Sequence, residues 1–228
     1  MKNIDDICFI VQARLSSERV PRKMIKPFAG SSLVDIICKK INNSSIIPKS
    51  NFYFSAYEKE IKSIVLSNNL QLFERSKKSA FSEGPMQEVM EYHDKLDYKY
   101  SVVISGCCPL LKIETIDNFI KAYQISNYES MFSVIAKKNY FWNIDGELIT
   151  KWPSNADVLN TKLVGKTYEA AHCLYAGRLD TIKDGIWMAK PPFRKNSPAL
   201  FEIPEYEVFD IDYEWQFNTA EALFINEN

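Results

Sequence analysis

ICFIVQA (residues 7–13) is the stretch that decides the fold, and RLSSERVPRK (residues 14–23) follows it directly. A short, continuous apolar run with several β-branched residues is typical of a strand that is buried on both faces of a parallel sheet. The residues after it are polar and basic, so they predict a loop at the carboxyl end of that strand. Because parallel sheets bind ligands at this edge, we expect the functional site here.

Strand and helix patterns alternate along the rest of the first half of the chain. Residues 51–56, 70–74 and 101–105 have the composition of short buried strands, whereas the segments between them place apolar residues at helical spacing. This alternation predicts an α/β fold with a doubly wound, mainly parallel, Rossmann-like sheet that is covered by helices on both faces. The residues that mark the predicted helices are Leu33, Ile36, Ile37 and Ile41 after an N-cap at Ser32, then Ile61, Ile64 and Val65, then Met86, Val89, Met90 and His93, then Ile113, Ile116, Phe119, Ile120 and Tyr123.

The second half has a different pattern. Residues 131–138 and 141–149 are predicted strands, and the latter turns at Asp145-Gly146. We expect a small β-rich excursion from the main sheet at about 139–170. A strand at 207–211 and a helix from Glu214 through Leu223 complete a single predicted domain over residues 1–228.

The composition excludes several classes of protein. Hydrophobic residues make up 46% of the 228-residue chain and charged residues 25%, with a formal net charge of -1, which argues against a nucleic-acid-binding protein. The five cysteines have no CxxC spacing, so neither a zinc site nor a disulfide framework is indicated. No apolar stretch approaches the length of a membrane span, and the start lacks signal-peptide order. We therefore expect a cytoplasmic protein without nucleic-acid or membrane partners.

The loop after the first strand has the chemistry of an anion site. Four cations, Arg14, Arg19, Arg22 and Lys23, lie within residues 14–23, beside backbone N–H groups that a loop leaving a parallel strand exposes. Guanidinium and ammonium groups in this setting suit a polyphosphate. Arg14 and Lys23 are the best candidates for contacts with a triphosphate, although a solvated basic turn has the same composition.

An acidic pair lies near the other end of the sequence. Asp210 and Asp212 flank Ile211 at the end of the predicted last strand, where alternation would place both carboxylates on one side. Two carboxylates together with phosphate oxygens suit Mg²⁺, which takes few protein ligands. An acidic N-cap for the last helix is the alternative interpretation.

The basic loop resembles a known nucleotide-binding signature. Arg14-Leu15-Ser16-Ser17-x-Arg19-x-Pro21-x-Lys23 is similar to that of the CMP-sugar synthetases, the cytidylyltransferases that act on nonulosonic acids of the sialic, legionaminic or pseudaminic type and on KDO. Pro21-Arg22-Lys23 resembles the nonulosonate branch and Leu15 the KDO branch. The resemblance implies a nucleotide-diphospho-sugar transferase fold, CTP and an acidic sugar as substrates, Mg²⁺ as cofactor and a homodimer. It implies nucleotide contacts at Ala13, Arg14, Ser17, Arg19, Lys23 and Arg75, a metal pair at Asp210 and Asp212, and catalytic roles for Arg14, Lys23 and Asp212.

Other parts of the chain extend this resemblance and also depart from it. Residues 133–148 look like the stretch that leads into the acceptor-sugar and dimerisation region, which implies sugar contacts at Lys137 and Lys138. Residues 168–172 resemble a segment that faces the acceptor sugar, which implies a further contact at His172. Solvent exposure of the two lysines and packing of His172 are the alternative interpretations. Cys107 stands where KDO synthetases typically carry a metal-binding aspartate, and a thiol is a poor ligand for Mg²⁺. Ser82, Pro85 and Met86 replace the family residues downstream of Arg75, so the sequence does not indicate how cytosine is held.

Two other functions stay open at this point. A nucleotide-sugar glycosyltransferase also combines a doubly wound sheet with an Asp-x-Asp metal site, although its acidic pair usually falls mid-chain. A nucleotide-binding homologue without catalysis is suggested by Cys107 and by the altered segment after Arg75. The residues do not indicate a general base, because a metal-polarised hydroxyl explains the chemistry as well as any side chain.

Overall fold

A computed structural model of the chain describes residues 1–227, and its centre is a seven-stranded sheet. The strands are β1 (Ile7–Gln12), β2 (Phe52–Ala56), β3 (Leu72–Glu74), β4 (Tyr100–Ile104), β5 (Met131–Lys137), β6 (Thr167–Arg178) and β7 (Ala199–Glu202). Their order across the sheet is β3-β2-β1-β4-β6-β5-β7. β6 is antiparallel to both of its neighbours, and the other pairings are parallel. The predicted α/β fold with a mainly parallel sheet is confirmed.

Helices cover the sheet as the alternating pattern predicts. They are α1 (Leu33–Asn43), α2 (Lys59–Ser67), α3 (Lys77–Phe81), α4 (Met86–Val89), α5 (Ile113–Ile125) and α6 (Glu214–Glu227). α1 begins where the Ser32 hydroxyl accepts the Asp35 N–H at 3.2 Å, which is the predicted N-cap. None of the described helices is long and apolar enough to cross a bilayer.

The first strand, β1, lies between the two hydrophobic cores of the protein. Its apolar side chains are fully buried and alternate between two cores. Phe9 and Val11 belong to the larger core with α1 and α5, whereas Cys8 and Ile10 belong to a smaller core on the opposite face with Tyr92. Truncating a buried aromatic such as Phe9 to alanine typically costs about 3–5 kcal/mol, so both faces depend on this strand.

The predicted helix over residues 86–93 is interrupted. α4 ends at Val89, and a separate 3-10 turn covers Glu91–Asp94. In a continuous helix the Val89 carbonyl would accept the His93 N–H, but it accepts the Gln12 side-chain amide at 3.0 Å instead, and the His93 N–H binds the Met90 carbonyl at 2.9 Å. A side chain from β1 therefore competes for the acceptor that the helix needs.

Two predicted strands are wrong. Residues 141–149 contain only an isolated bridge between Trp142 and Leu148, around a turn at Gly146, where φ is 85°. Residues 207–211 pair with no strand, because Glu205–Glu207 forms a 3-10 turn and the following backbone is irregular. The expected excursion at about 139–170 has little β-structure in the described residues 138–166, and β6 already begins at Thr167.

Candidate active site

A cleft of about 810 Å³ lies at the carboxyl end of β1. Its walls include residues of the basic loop, of the segment between α3 and α4, and of the stretch before α6. Seven of the predicted site residues line it: Ala13, Arg14, Ser17, Arg19, Lys23, Arg75 and Asp212. The chemical roles of these residues stay predictions, but the structure places the seven around one space.

Cations from the basic loop meet the second acid of the Asp-x-Asp pair. The Arg19 guanidinium lies 2.8 Å from Asp212 Oδ1, and Lys23 Nζ lies 3.6 Å from the same oxygen. The Arg19 guanidinium also lies 5.2 Å from the centroid of the Tyr213 ring, in a cation–π arrangement. Residues from the two ends of the sequence therefore share one wall of the cleft.

Hydrogen bonds outside the sheet hold the acidic segment in this place. The Ile211 N–H donates to the Cys107 carbonyl at 3.2 Å, and Lys23 Nζ donates to the Ile211 carbonyl. The buried Glu207 carboxylate accepts the Lys112 N–H at 3.0 Å. These bonds replace the ladder that a strand at 207–211 would have made, and they bring Asp212 to the carboxyl edge without strand geometry.

The two aspartates are a minimal donor set for a cation. Burial raises the pKa of Asp210, the charge of Lys23 lowers it and that of Asp212 raises it again. Two carboxylates that disfavour each other's charge, one of them partly removed from water, fit a hard divalent cation that also takes phosphate oxygens. No group of three or more His, Cys, Asp or Glu residues that could hold a metal occurs within residues 1–227, so Mg²⁺ stays a prediction.

Cys107 lines the same cleft and adds no charge. Its Sγ lies 3.7 Å from Met24 Sδ, and burial raises the pKa of the thiol while nearby Lys23 lowers it. A neutral thiol is a weak ligand for Mg²⁺. The loop after β4 therefore contributes packing here rather than the carboxylate of the KDO synthetases.

Two glutamates that the sequence analysis missed restrain the basic loop. Glu58 Oε1 accepts the Leu15 N–H at 2.9 Å, and Glu83 Oε1 lies 3.1 Å from the Arg14 guanidinium. Glu83 is 81% exposed, so its pair with Arg14 contributes no more than about 1 kcal/mol. A phosphate group could replace this carboxylate at Arg14 at little cost.

Arg75 lies in the cleft wall, but its guanidinium makes hydrogen bonds to other groups of the protein. It is 6% exposed and donates to the Ser79 hydroxyl at 3.1 Å and to the Val89 carbonyl at 3.5 Å. Burial lowers the pKa of Arg75. The residue holds the α3–α4 segment against the end of the sheet.

Four predicted site residues are not among those that line the cleft: Asp210, Lys137, Lys138 and His172. Lys137 pairs with Glu205 and lies 3.5 Å from Glu169, and Lys138 is exposed. His172 is also exposed, has a φ of 53° at a bulge in β6, and its Nδ1 lies 3.3 Å from the Tyr175 hydroxyl. The described residues therefore do not gather the predicted sugar contacts at the cleft.

The chain is similar in sequence to known proteins. Residues 8–181, which are more than half of the chain, match the family model described as cytidylyltransferase. The chain is 27% identical over 242 residues to the spore coat polysaccharide biosynthesis protein SpsF of Bacillus subtilis (strain 168), covering 97% of this chain and 87% of that protein.

Solved structures share the architecture. A CMP:2-keto-3-deoxy-manno-octonic acid synthetase complexed with CTP has a TM-score of 0.70 at 11% identity, covering 97% of this chain and 99% of that one. A 4-diphosphocytidyl-2C-methyl-D-erythritol synthase from Anaerococcus prevotii DSM 20548 has a TM-score of 0.62 at 14% identity, covering 96% and 97%. At these identities the likeness establishes the fold.

Proposed function

The chain belongs to the cytidylyltransferase family of nucleotidyltransferases, and from that membership we propose that it transfers CMP from CTP to the anomeric hydroxyl of a 2-keto-3-deoxy sugar acid, releasing pyrophosphate. The observation that carries this proposal is the approach of Arg19 and Lys23 to Asp212 in one cleft. Cations for the triphosphate and an acid for a metal are the two components that cytidylyl transfer needs.

The proposed roles follow from the positions of the side chains. Arg14 and Lys23 hold the triphosphate, since both line the cleft and bring cationic side chains to it. Arg19 and Ser17 support the loop, and Arg19 also orients Asp212. Charge builds on the phosphoryl oxygens and on the departing pyrophosphate, so preorganised cations stabilise the transition state more than the ground state.

Asp210 and Asp212 are the residues that would hold Mg²⁺. When bound, the ion would neutralise phosphate charge and align the attacking and leaving oxygens. Asp212 is the stronger of the two assignments, because it lines the cleft and Asp210 is not among the lining residues. We expect Arg19 and Lys23 to lose part of their contact with Asp212 once phosphate and cation enter.

The acceptor we propose is a nonulosonic acid of the sialic, legionaminic or pseudaminic type, or a KDO-like acid. Support comes from the motif at residues 14–23, from the name of the octonic acid synthetase that shares the fold, and from the relative named for polysaccharide biosynthesis. Lys137, Lys138 and His172 are the proposed sugar contacts. We place the reaction in the cytoplasm, where CTP is made.

Pyrophosphate release tests this function. The protein would be incubated with CTP, Mg²⁺ and a panel of eight- and nine-carbon 2-keto-3-deoxy sugar acids, and we expect stoichiometric pyrophosphate and CMP-sugar with at least one acceptor. Consumption of a sugar nucleotide without pyrophosphate would favour the glycosyltransferase. Calorimetric CTP binding without turnover on the whole panel would favour the non-catalytic homologue.

We also propose that the protein is a homodimer that uses the excursion between β5 and β6. Tyr140 packs on Trp152 with ring centroids 5.4 Å apart, which gives the segment an internal core. The same segment exposes Ile144, Ile149 and Val158 at 101%, 67% and 69%, and several exposed apolar side chains in one segment favour an interface between protein chains. Light scattering after gel filtration should give twice the chain mass, and Ile149→Asp should halve it.

A further inference from the structure

Three side chains donate hydrogen bonds to the carbonyl of Val89, a residue that lines the cleft. Gln12 Nε2 donates to it at 3.0 Å, Ser79 Oγ at 3.2 Å and the Arg75 guanidinium at 3.5 Å. These residues come from β1, α3 and the segment after β3. The carbonyl therefore ties the α3–α4 segment to the strand that precedes the basic loop.

This contact decides which way the Gln12 carboxamide faces. A carbonyl oxygen only accepts hydrogen bonds, so the NH₂ group must point at Val89 and the amide oxygen must point elsewhere. Gln12 lines the cleft, and no donor among residues 1–227 is paired with its Oε1. The structure thus presents a fixed acceptor to a ligand, with its orientation determined by the protein.

Gln12 shares the cleft with the basic loop and with Asp212. Arg75 and Val89 lie beside Gln12, because Gln12 and Arg75 both donate to the Val89 carbonyl. Gln12 precedes Arg14 by two residues, at most about 7 Å of extended chain. A nucleotide whose phosphates meet Arg14 and Lys23 can therefore place its base beside Gln12.

We propose that Gln12 selects the base of the nucleotide: its Oε1 accepts a hydrogen bond from the exocyclic 4-amino group of cytosine. This inference rests on the proposed use of a cytidine nucleotide. With its NH₂ group held by the Val89 carbonyl, the carboxamide offers Oε1 as an acceptor, which is the partner that an exocyclic amino group needs. Uracil carries a carbonyl oxygen at position 4, which would face Oε1 acceptor to acceptor, so UTP is rejected.

Glu83 is the rival acceptor among the residues that line the cleft. Its carboxylate pairs with Arg14 and is largely exposed, so its position is not fixed in the way that Val89 fixes Gln12. Among the described residues that line the cleft, Gln12 alone carries a carboxamide. A neutral, oriented acceptor gives discrimination between bases, whereas a mobile carboxylate is readily satisfied by water or by a cation.

The test measures the dissociation constants of CTP and UTP by calorimetry for the wild type, Gln12→Leu, Ser79→Ala and Glu83→Gln. A third ligand is the triphosphate of the pyrimidin-2-one riboside, which lacks the 4-amino group. We expect the UTP-to-CTP ratio of dissociation constants to fall about tenfold or more in Gln12→Leu. The ratio should stay within about twofold of the wild type in the other two variants.

Ser79→Ala is the matched control, because it removes another donor to Val89, and with it an acceptor of the Arg75 guanidinium, but leaves the Gln12 carboxamide in place. Equal weakening of CTP and UTP by Gln12→Leu would assign Gln12 a structural role and overturn the proposal. If Gln12→Leu does not fold, the wild type decides: binding of the pyrimidin-2-one ligand as tightly as CTP overturns it, and binding about tenfold weaker supports it. A wild type that binds CTP no better than UTP would overturn the proposed function itself.

Discussion

Lys23→Met is the change that tests the candidate site most directly. Lys23 is 13% exposed, its Nζ lies 3.6 Å from Asp212 Oδ1, and it donates to the Ile211 carbonyl. Methionine keeps much of the length and apolar surface of the lysine stem but removes the charge and the donors. The variant therefore separates the electrostatic role of Lys23 from its packing.

The structure sets the size of the expected effect. Two unit charges 3.6 Å apart interact by about 4–5 kcal/mol at an effective dielectric constant of 20, and a phosphate oxygen within the same reach experiences a similar field. Desolvation and the remaining cations Arg14 and Arg19 reduce the net loss to about 3–4 kcal/mol. We expect turnover to fall by about 10²–10³, as for the removal of one preorganised donor elsewhere.

The assay is pyrophosphate release with saturating CTP and the acceptor found in the panel, together with calorimetric CTP binding. Lys26→Met is the matched control. Lys26 pairs with Glu214 and lies 4.5 Å from the Phe217 ring centroid, but it does not line the cleft. Loss of such a partly exposed ion pair costs about 1 kcal/mol or less of stability, and turnover should change less than about threefold.

Two results would refute the reasoning about Lys23. Near-normal turnover and CTP binding in Lys23→Met would remove its assigned role, whatever else lines the cleft. An equal loss in Lys23→Met and Lys26→Met would mean that the loop as a whole, and not the charge in the cleft, determines activity. A thermal unfolding curve for each variant checks that the fold is retained.

Three further changes test other parts of the structure. Asp212→Asn should lower turnover about 10²-fold and move the Mg²⁺ dependence to higher concentration, and an unchanged Mg²⁺ titration would contradict its metal role. Gly177→Ala should cost about 1–3 kcal/mol in urea unfolding, because the added Cβ would lie 2.5 Å from the Trp187 carbonyl oxygen; wild-type stability would show that the contact relaxes freely. Burial raises the pKa of Asp35, but hydrogen bonds led by that from Lys39 lower it from 3.8 to about 2. Its folded pKa is thus depressed, so its stabilisation is present above pH 3.8 and is lost as the pH falls through about 2; Asp35→Asn should remove this part of the acid-unfolding profile, and an identical profile would be the contrary result.

The elements that the sequence predicts well are those with local signals. β1 is an unbroken apolar run, and α1 has both helical spacing and the Ser32 cap, so each carries its own pattern. β6 was missed because its hydrophobic pattern is irregular and a bulge at His172 interrupts its register. Its antiparallel place between β4 and β5 is set by long-range pairing, which periodicity does not report.

The prediction of a strand at 207–211 is wrong for the opposite reason, because here a local pattern is present and misleading. EVFDI has strand-like composition, but the N–H groups of Glu207 and Val208 donate to carbonyls of the preceding turn. The backbone of Ile211 bonds to the Cys107 carbonyl and to the Lys23 side chain. The basic loop could be recognised from composition because its cations cluster in sequence. Gln12, Glu58 and Glu83 could not, since their contacts with Val89, Leu15 and Arg14 join segments that are far apart in the chain.

The contact between Arg19 and Asp212 joins residues that are 193 positions apart in the sequence. During synthesis the basic loop is therefore made long before the acid that it contacts. A nascent chain that has emerged only as far as β7 already carries every strand of the sheet, yet its basic loop still lacks the acid that faces it. A ligand that bridges the basic loop and Asp212 can therefore stabilise the native state only after residue 212 has been synthesised.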